Sequence, residues 1–309
     1  MFPCFPATHM LTPTPGERHT AHASRVYLHF LAVFVVGTLG QSAICEIIGL
    51  LLPPGRADLQ LLAQLFSTAI VAVTVILWCR LGERRSLASL GLIRRGAWPE
   101  YVIGMAAGVI LFGGAVGLCV ITGTATLSVT TEAPSAGLLV LFLAAFLIQG
   151  MSEELLCRSF LMVSLSRRWP LWACAVANAL AFSLLHIFNP GVTLVALLNI
   201  FLFGLLASVL TLRRGSIWMV SALHGLWNFA QGNLFGVPVS GIAGMPAPLV
   251  TTLPAERTWW QTLINGGSFG LEGGLAATTV LGLGILAVWL SRTKKSETVE
   301  EASIASVAK

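Results

Sequence analysis

Charged side chains are scarce in this sequence. Asp, Glu, Lys and Arg make up 10% of its 309 residues, where soluble domains carry about a quarter. With 56% hydrophobic residues and a mean hydropathy of +0.84, a soluble fold of this length could not hide its apolar surface, so a bilayer is the expected solvent. There is no basic domain: the net charge of +5 comes from short clusters between apolar runs. That pattern excludes a nucleic-acid partner and reads as a membrane-topology signal. No CxxC occurs among Cys4, Cys45, Cys79, Cys119, Cys157 and Cys174, and five of these lie in apolar runs. A disulfide framework and a zinc knuckle are thereby excluded, and the cysteines read as small buried hydrophobes. Cys157 is the one thiol near polar groups, and an apolar setting leaves it inert. An HExxH zinc-protease motif is also missing, as are a soluble domain and an internal repeat.

What is there is a series of apolar runs. A spanning helix needs about 20 mostly apolar residues, and eight candidates meet that need, at about 26–52, 59–80, 101–122, 136–166, 171–188, 193–212, 216–235 and 271–291. Loops rich in basic residues (Arg80, Arg84, Arg85, Arg94 and Arg95; Arg167 and Arg168; Arg213 and Arg214; Arg292, Lys294 and Lys295) alternate with loops holding one basic residue or none. Eight spans with both termini in the cytoplasm satisfy the positive-inside rule throughout. The expected fold is therefore all-α, a polytopic membrane helix bundle of about eight transmembrane helices. Residues 1–24, rich in Pro, Thr and His, are expected as a poorly ordered tail that is not a signal peptide. Residues 25–292 form the membrane domain and 293–309 a cytoplasmic tail. The segment from Val237 to Gly270, with Trp259 and Trp260, is the one long non-cytoplasmic loop. Its tryptophans read as interface anchors, with a lid as the alternative.

Ionised groups are costly inside a bilayer, about 2.5–3.5 kcal/mol each on insertion scales, so those present in the spans draw attention. The fourth span holds Gln149, Ser152, Glu153, Glu154 and Arg158; the fifth Asn178 and His186; the sixth Asn199; the seventh Ser221, His224, Asn228 and Gln231. At about 1.5 Å per residue, Glu153 lies about 21 Å above Arg167, His186 about 24 Å above Pro170, and Asn228 about 21 Å above Arg214. Three helices thus bring polar groups to one slab of the membrane. Glu154 and Arg158 are spaced for a helical ion pair, which leaves Glu153 without an obvious intrahelical partner, and His224 and Asn228 share a face. Gln149, Asn178, Asn199 and Ser221 read as helix–helix glue.

Amide hydrolysis needs an activated water, an oxyanion stabiliser and a proton for the leaving amine. A carboxylate in a dry site can act as base and then acid, a neutral His can orient the water, and a His/Asn pair can supply an oxyanion hole. Glu153 with His186 would form the water site, and His224 with Asn228 the oxyanion site. Zinc held by Glu153, His186 and His224 is the rival account. A proton-coupled transporter, and a non-catalytic membrane immunity or binding protein, are the alternatives to an enzyme.

The order EExxxR, FxxxH, HxxxN resembles the CPBP family, which comprises CAAX prenyl endopeptidases and bacteriocin-processing or self-immunity enzymes. The motifs read Glu153-Glu154-Leu155-Leu156-Cys157-Arg158, Phe182-Ser183-Leu184-Leu185-His186 and His224-Gly225-Leu226-Trp227-Asn228. The resemblance covers about 136–235. It implies an eight-helix bundle and endoproteolysis of a membrane-associated protein or peptide, with the lipid bilayer as the other partner. Glu153 would activate water with His186, His224 and Asn228 would stabilise the oxyanion, and Glu154 and Arg158 would support the site. Members are often labelled metalloproteases, but the motif fits a metal-free glutamate mechanism equally, and no cofactor is favoured here. Cys157 and Ser159 stand where many members have an aromatic residue and a glycine. Short loops and the lack of an organelle-targeting segment fit a bacterial plasma membrane.

Overall fold

The computed structural model describes residues 8–18, 22–93, 95–254 and 258–291. The expected C-terminal tail and the markers Arg94, Arg292, Lys294 and Lys295 lie outside the described residues.

The chain is an all-α polytopic bundle. Its helices are α1 (Ala23–Leu51), α2 (Ala57–Ser67), α3 (Ala69–Leu77), α4 (Ala97–Ile121), α5 (Ala136–Glu154), α6 (Val163–Ser166), α7 (Leu171–Leu184), α8 (Leu194–Arg214), α9 (Trp218–Phe229), α10 (Trp259–Asn265) and α11 (Leu275–Leu290). Apolar runs fold this way because lipid offers no partner for backbone N–H and C=O groups, and a helix satisfies them internally. Five helical stretches among the described residues are long and apolar enough to cross a membrane: Ser24–Leu51, Ala57–Gly82, Ala97–Ile121, Ala136–Ser166 and Leu194–Arg214. Leu171–Leu184 and Leu275–Leu290 are apolar but shorter. α9 continues through a π-helical turn, Ala230–Leu234. Each expected span thus coincides with helix, but the fifth ends at Leu184 rather than 188 and the last begins at Leu275 rather than 271.

Sequence punctuation accounts for the ends. The side chains of Ser135 and Thr193 accept from the N–H groups of Leu138 and Ala196, capping α5 and α8. Gly215 closes α8 with φ of 64°.

The basic loops gather at one end of the bundle. Buried Arg85 donates to the carbonyls of Ser89 and Ser159 at 2.9 and 2.6 Å. Arg214 pairs with Glu100 at 3.0 Å, and Arg213 caps α11 through the Ser291 carbonyl at 2.8 Å. The segment Thr8–Arg18, expected to be poorly ordered, packs against this same end. Met10 is 1% exposed there, and Glu17 pairs with Arg167 at 3.1 Å. Composition pointed the other way because the tail's own residues are polar; the surface that receives them is made by tertiary packing.

At the opposite end, a feature outside the all-α expectation appears. β1 (Thr126–Val129) pairs antiparallel with β2 (Leu249–Thr252), Thr126 opposite Thr252 and Val129 opposite Leu249. This small ribbon ties the α4–α5 connection to the long loop. Trp259 and Trp260 are exposed on that loop, 79% and 41%, as expected for interface anchors.

Candidate active site

The site rests on a close approach between α5 and α9. A Cβ on Gly150 would lie 2.7 Å from the Gly225 nitrogen, and one on Gly225 2.8 Å from the Phe146 carbonyl oxygen. Only glycine lets the two backbones meet so closely, a common device in membrane bundles. The contact brings the polar face of α5 against that of α9.

Glu154 is wholly buried, and its Oε1 accepts two hydrogen bonds: from His224 Nδ1 at 2.8 Å and from Arg158 at 3.1 Å. Arg158, equally buried, also donates to the Gly204 carbonyl at 3.1 Å, and its guanidinium lies 4.6 Å from the centre of the Phe182 ring. Arg158 lies in a π-helical stretch, Leu155–Met162, that begins directly after Glu154. Such wide turns recur at functional sites.

Glu153 points elsewhere. Its side chain retains 29% exposure, and its Oε2 lies 3.6 Å from His224 Nε2. Its other oxygen accepts a short bond from the Gln149 amide, whose oxygen accepts from Asn228 Nδ2 at 3.0 Å. His224 therefore stands between two carboxylates, Nδ1 bonded to Glu154 and Nε2 facing Glu153. Phe203 and Phe182 close around it, with ring centroids 4.9 and 5.9 Å away.

His186 lies just past the end of α7, in a turn, and not within the last turn of a helix reaching 188 as expected. Its Nδ1 donates to the Phe182 carbonyl at 2.8 Å, which leaves Nε2 as the lone-pair nitrogen of the neutral ring. Glu153, His186, His224, Asn228 and Gln149 all line one cavity of about 290 Å³. Glu154 and Arg158 sit behind its wall. The structure thus brings the six sequence-derived residues to one place, in two layers.

Other readings divide. Asn178 binds Ser208 at 2.8 Å, joining α7 to α8, and Asn199 holds the Gly274 carbonyl at 2.8 Å at the start of α11. Both act as glue. Gln149 does so too, joining α5 to α9 through Asn228, but it also holds Glu153, and its i,i+4 spacing to Glu153 was the signal that could have revealed that second contact. Glu272 was missed too, although it is an ionisable residue at the start of the expected eighth span, among glycines. It accepts from Trp227 Nε1 at 3.0 Å and from the Ser240 N–H and hydroxyl, both at 2.9 Å. The long loop is thereby drawn over the cavity, so Ser240 and Met245 line it while Trp259 and Trp260 do not.

The zinc set fits poorly. Among the described residues no three His, Cys, Asp or Glu side chains are gathered to hold one ion.

Residues 135–230 match the family model described as type II CAAX prenyl endopeptidase, Rce1-like. This segment is an Rce1-like domain. The resemblance to the CPBP and CAAX proteases, carried by three short motifs, is borne out over this stretch. All six candidate residues fall inside the Rce1-like domain; Glu272 and helices α1 to α4 fall outside it. No curated protein matches the chain. The Rce1-like family is a protease family, and the match over this segment supports peptide-bond hydrolysis with a protein as substrate. Its apolar helices make it an integral membrane protein.

Proposed function

We propose that the chain is an intramembrane endopeptidase that cleaves a membrane-associated protein or peptide, with a prenylated CAAX ending as the substrate class suggested by the family's description. The observation that carries this reading is the division between the two carboxylates. Glu153 faces the cavity, while Glu154 is sealed behind it and tethers His224.

Glu153 takes a proton from a water as its oxygen attacks the scissile carbonyl. His186 Nε2 accepts the water's second hydrogen and orients it. The oxyanion forms opposite Asn228, whose amide has a second N–H beyond the one given to Gln149, and opposite His224 Nε2–H in the imidazolium form. Glu153 then passes its proton to the departing amine, and the peptide bond breaks. Arg158 balances the buried charge of Glu154. No step is routed through a metal. The basic end of the bundle faces the cytoplasm by the positive-inside rule, and short loops fit a bacterial plasma membrane.

The test is turnover of a prenylated peptide with a CAAX ending by the full chain in proteoliposomes. Glu153→Gln should lower the rate by about 10²-fold or more while the protein stays folded. Equal rates for Glu153→Gln and the wild type would overturn the proposal.

A further inference from the structure

Two glutamines outside the Rce1-like segment line the same cavity as Glu153: Gln41 on α1 and Gln64 on α2. Their side-chain amides make no hydrogen bond to any described residue, unlike Asn178 and Asn199, which bond across helices. Gln64 is exposed and Gln41 half-buried at the cavity wall, so both amides are open to a group that enters the cavity. A second, open cavity of about 610 Å³, lined by Glu46, Gln60 and Gln64, shares Gln64 with the first. Gln64 thus borders both spaces. Gln60, Gln64 and Thr68 follow one stripe of α2 at i, i+4 and i+8, spanning about 12 Å at ~1.5 Å per residue. That length matches about four residues of extended peptide. Along the wall, the Thr38 and Thr68 hydroxyls donate to their own helix carbonyls, of Phe34 at 2.9 Å and Leu65 at 2.6 Å, and so offer lone pairs to an approaching N–H.

We infer that the α1–α2 wall is a substrate subsite, in which Gln41 and Gln64 hydrogen-bond the backbone of an extended peptide running from the open cavity to Glu153. The chemistry is that of a peptide and not of a prenyl chain, which has no groups to pair with amides. The inference rests on the endopeptidase reading but is tested by binding, which needs no turnover.

The experiment uses the full-length Glu153→Gln chain in nanodiscs and a fluorescently labelled prenylated peptide with a CAAX ending. Gln41→Leu and Gln64→Leu should each weaken binding about 3- to 10-fold, the loss of one neutral hydrogen bond. A peptide N-methylated along its backbone should bind the parent chain more weakly by a similar factor and should lose little more on either variant. The N-methyl comparison on the parent chain needs no further substitution, so a folding defect in a variant does not decide the outcome. Unchanged affinity in the variants and for the N-methylated peptide, or no binding of the peptide at all, would overturn the inference. Cleavage by the wild type that is lost in Glu153→Gln would still stand in that case, so the two readings fail separately.

Discussion

His224 is held by Glu154 and faces Glu153: Nδ1 donates to the buried carboxylate at 2.8 Å, and Nε2 looks across 3.6 Å to the exposed one. Two adjacent glutamates on one helix thus flank opposite sides of a single imidazole. They can do so because neighbouring residues on a helix point about 100° apart, one into the cavity and one into the wall. The ring's orientation depends on the buried member, as a third group orients the base in other hydrolytic sites.

Glu154→Gln should cost stability as well as rate. It leaves Arg158 buried without an anion, and breaking a buried pair costs about 3–5 kcal/mol. Adding Arg158→Met should restore most of that stability. The rate should stay lowered, on the order of 10²-fold, because His224 has lost its anionic partner. Thermal unfolding and turnover of the single and double variants check this. Recovery of turnover along with stability would show that the pair is purely structural.

Gly150→Ala should disable the site without touching a polar group. The added methyl would sit 2.7 Å from the Gly225 nitrogen, so α5 and α9 must separate. Overpacking of this kind costs about 1–3 kcal/mol, and a shift of about 1 Å at a reacting group can cost about 10²-fold in rate. Unimpaired turnover by this variant would contradict the helix contact described above.

Gln149→Leu should lower kcat about 30-fold, since two hydrogen bonds worth roughly 1 kcal/mol each are lost. KM should change little, because Glu153 and Asn228 remain in place but less well oriented. A steady-state comparison with the wild type separates the two parameters. A rise in KM alone would assign Gln149 to substrate binding and not to positioning.

The sequence by itself determined the solvent and the element type, because scarce charge and long apolar runs leave the chain no fold but a helical membrane bundle. It also singled out six candidate residues. Glu153, Glu154, Arg158, His186, His224 and Asn228 announced themselves because ionisable and amide groups are costly in lipid and so stand out against an apolar background. Only the tertiary structure decided which carboxylate lines the cavity and which is sealed behind it. Nothing in the order Glu153-Glu154 says which one meets the cavity; that follows from the rotation of α5 once Gly150 and Gly225 lock it against α9. The place of His186 was decided the same way, since α7 stops at Leu184 and the turn beyond it carries the ring. Gln149 and Glu272 became part of the site for a like reason. Gln149 finds Asn228, and Glu272 finds Trp227 and Ser240, on segments distant in sequence, and spacing along a single chain cannot encode a contact that only packing creates.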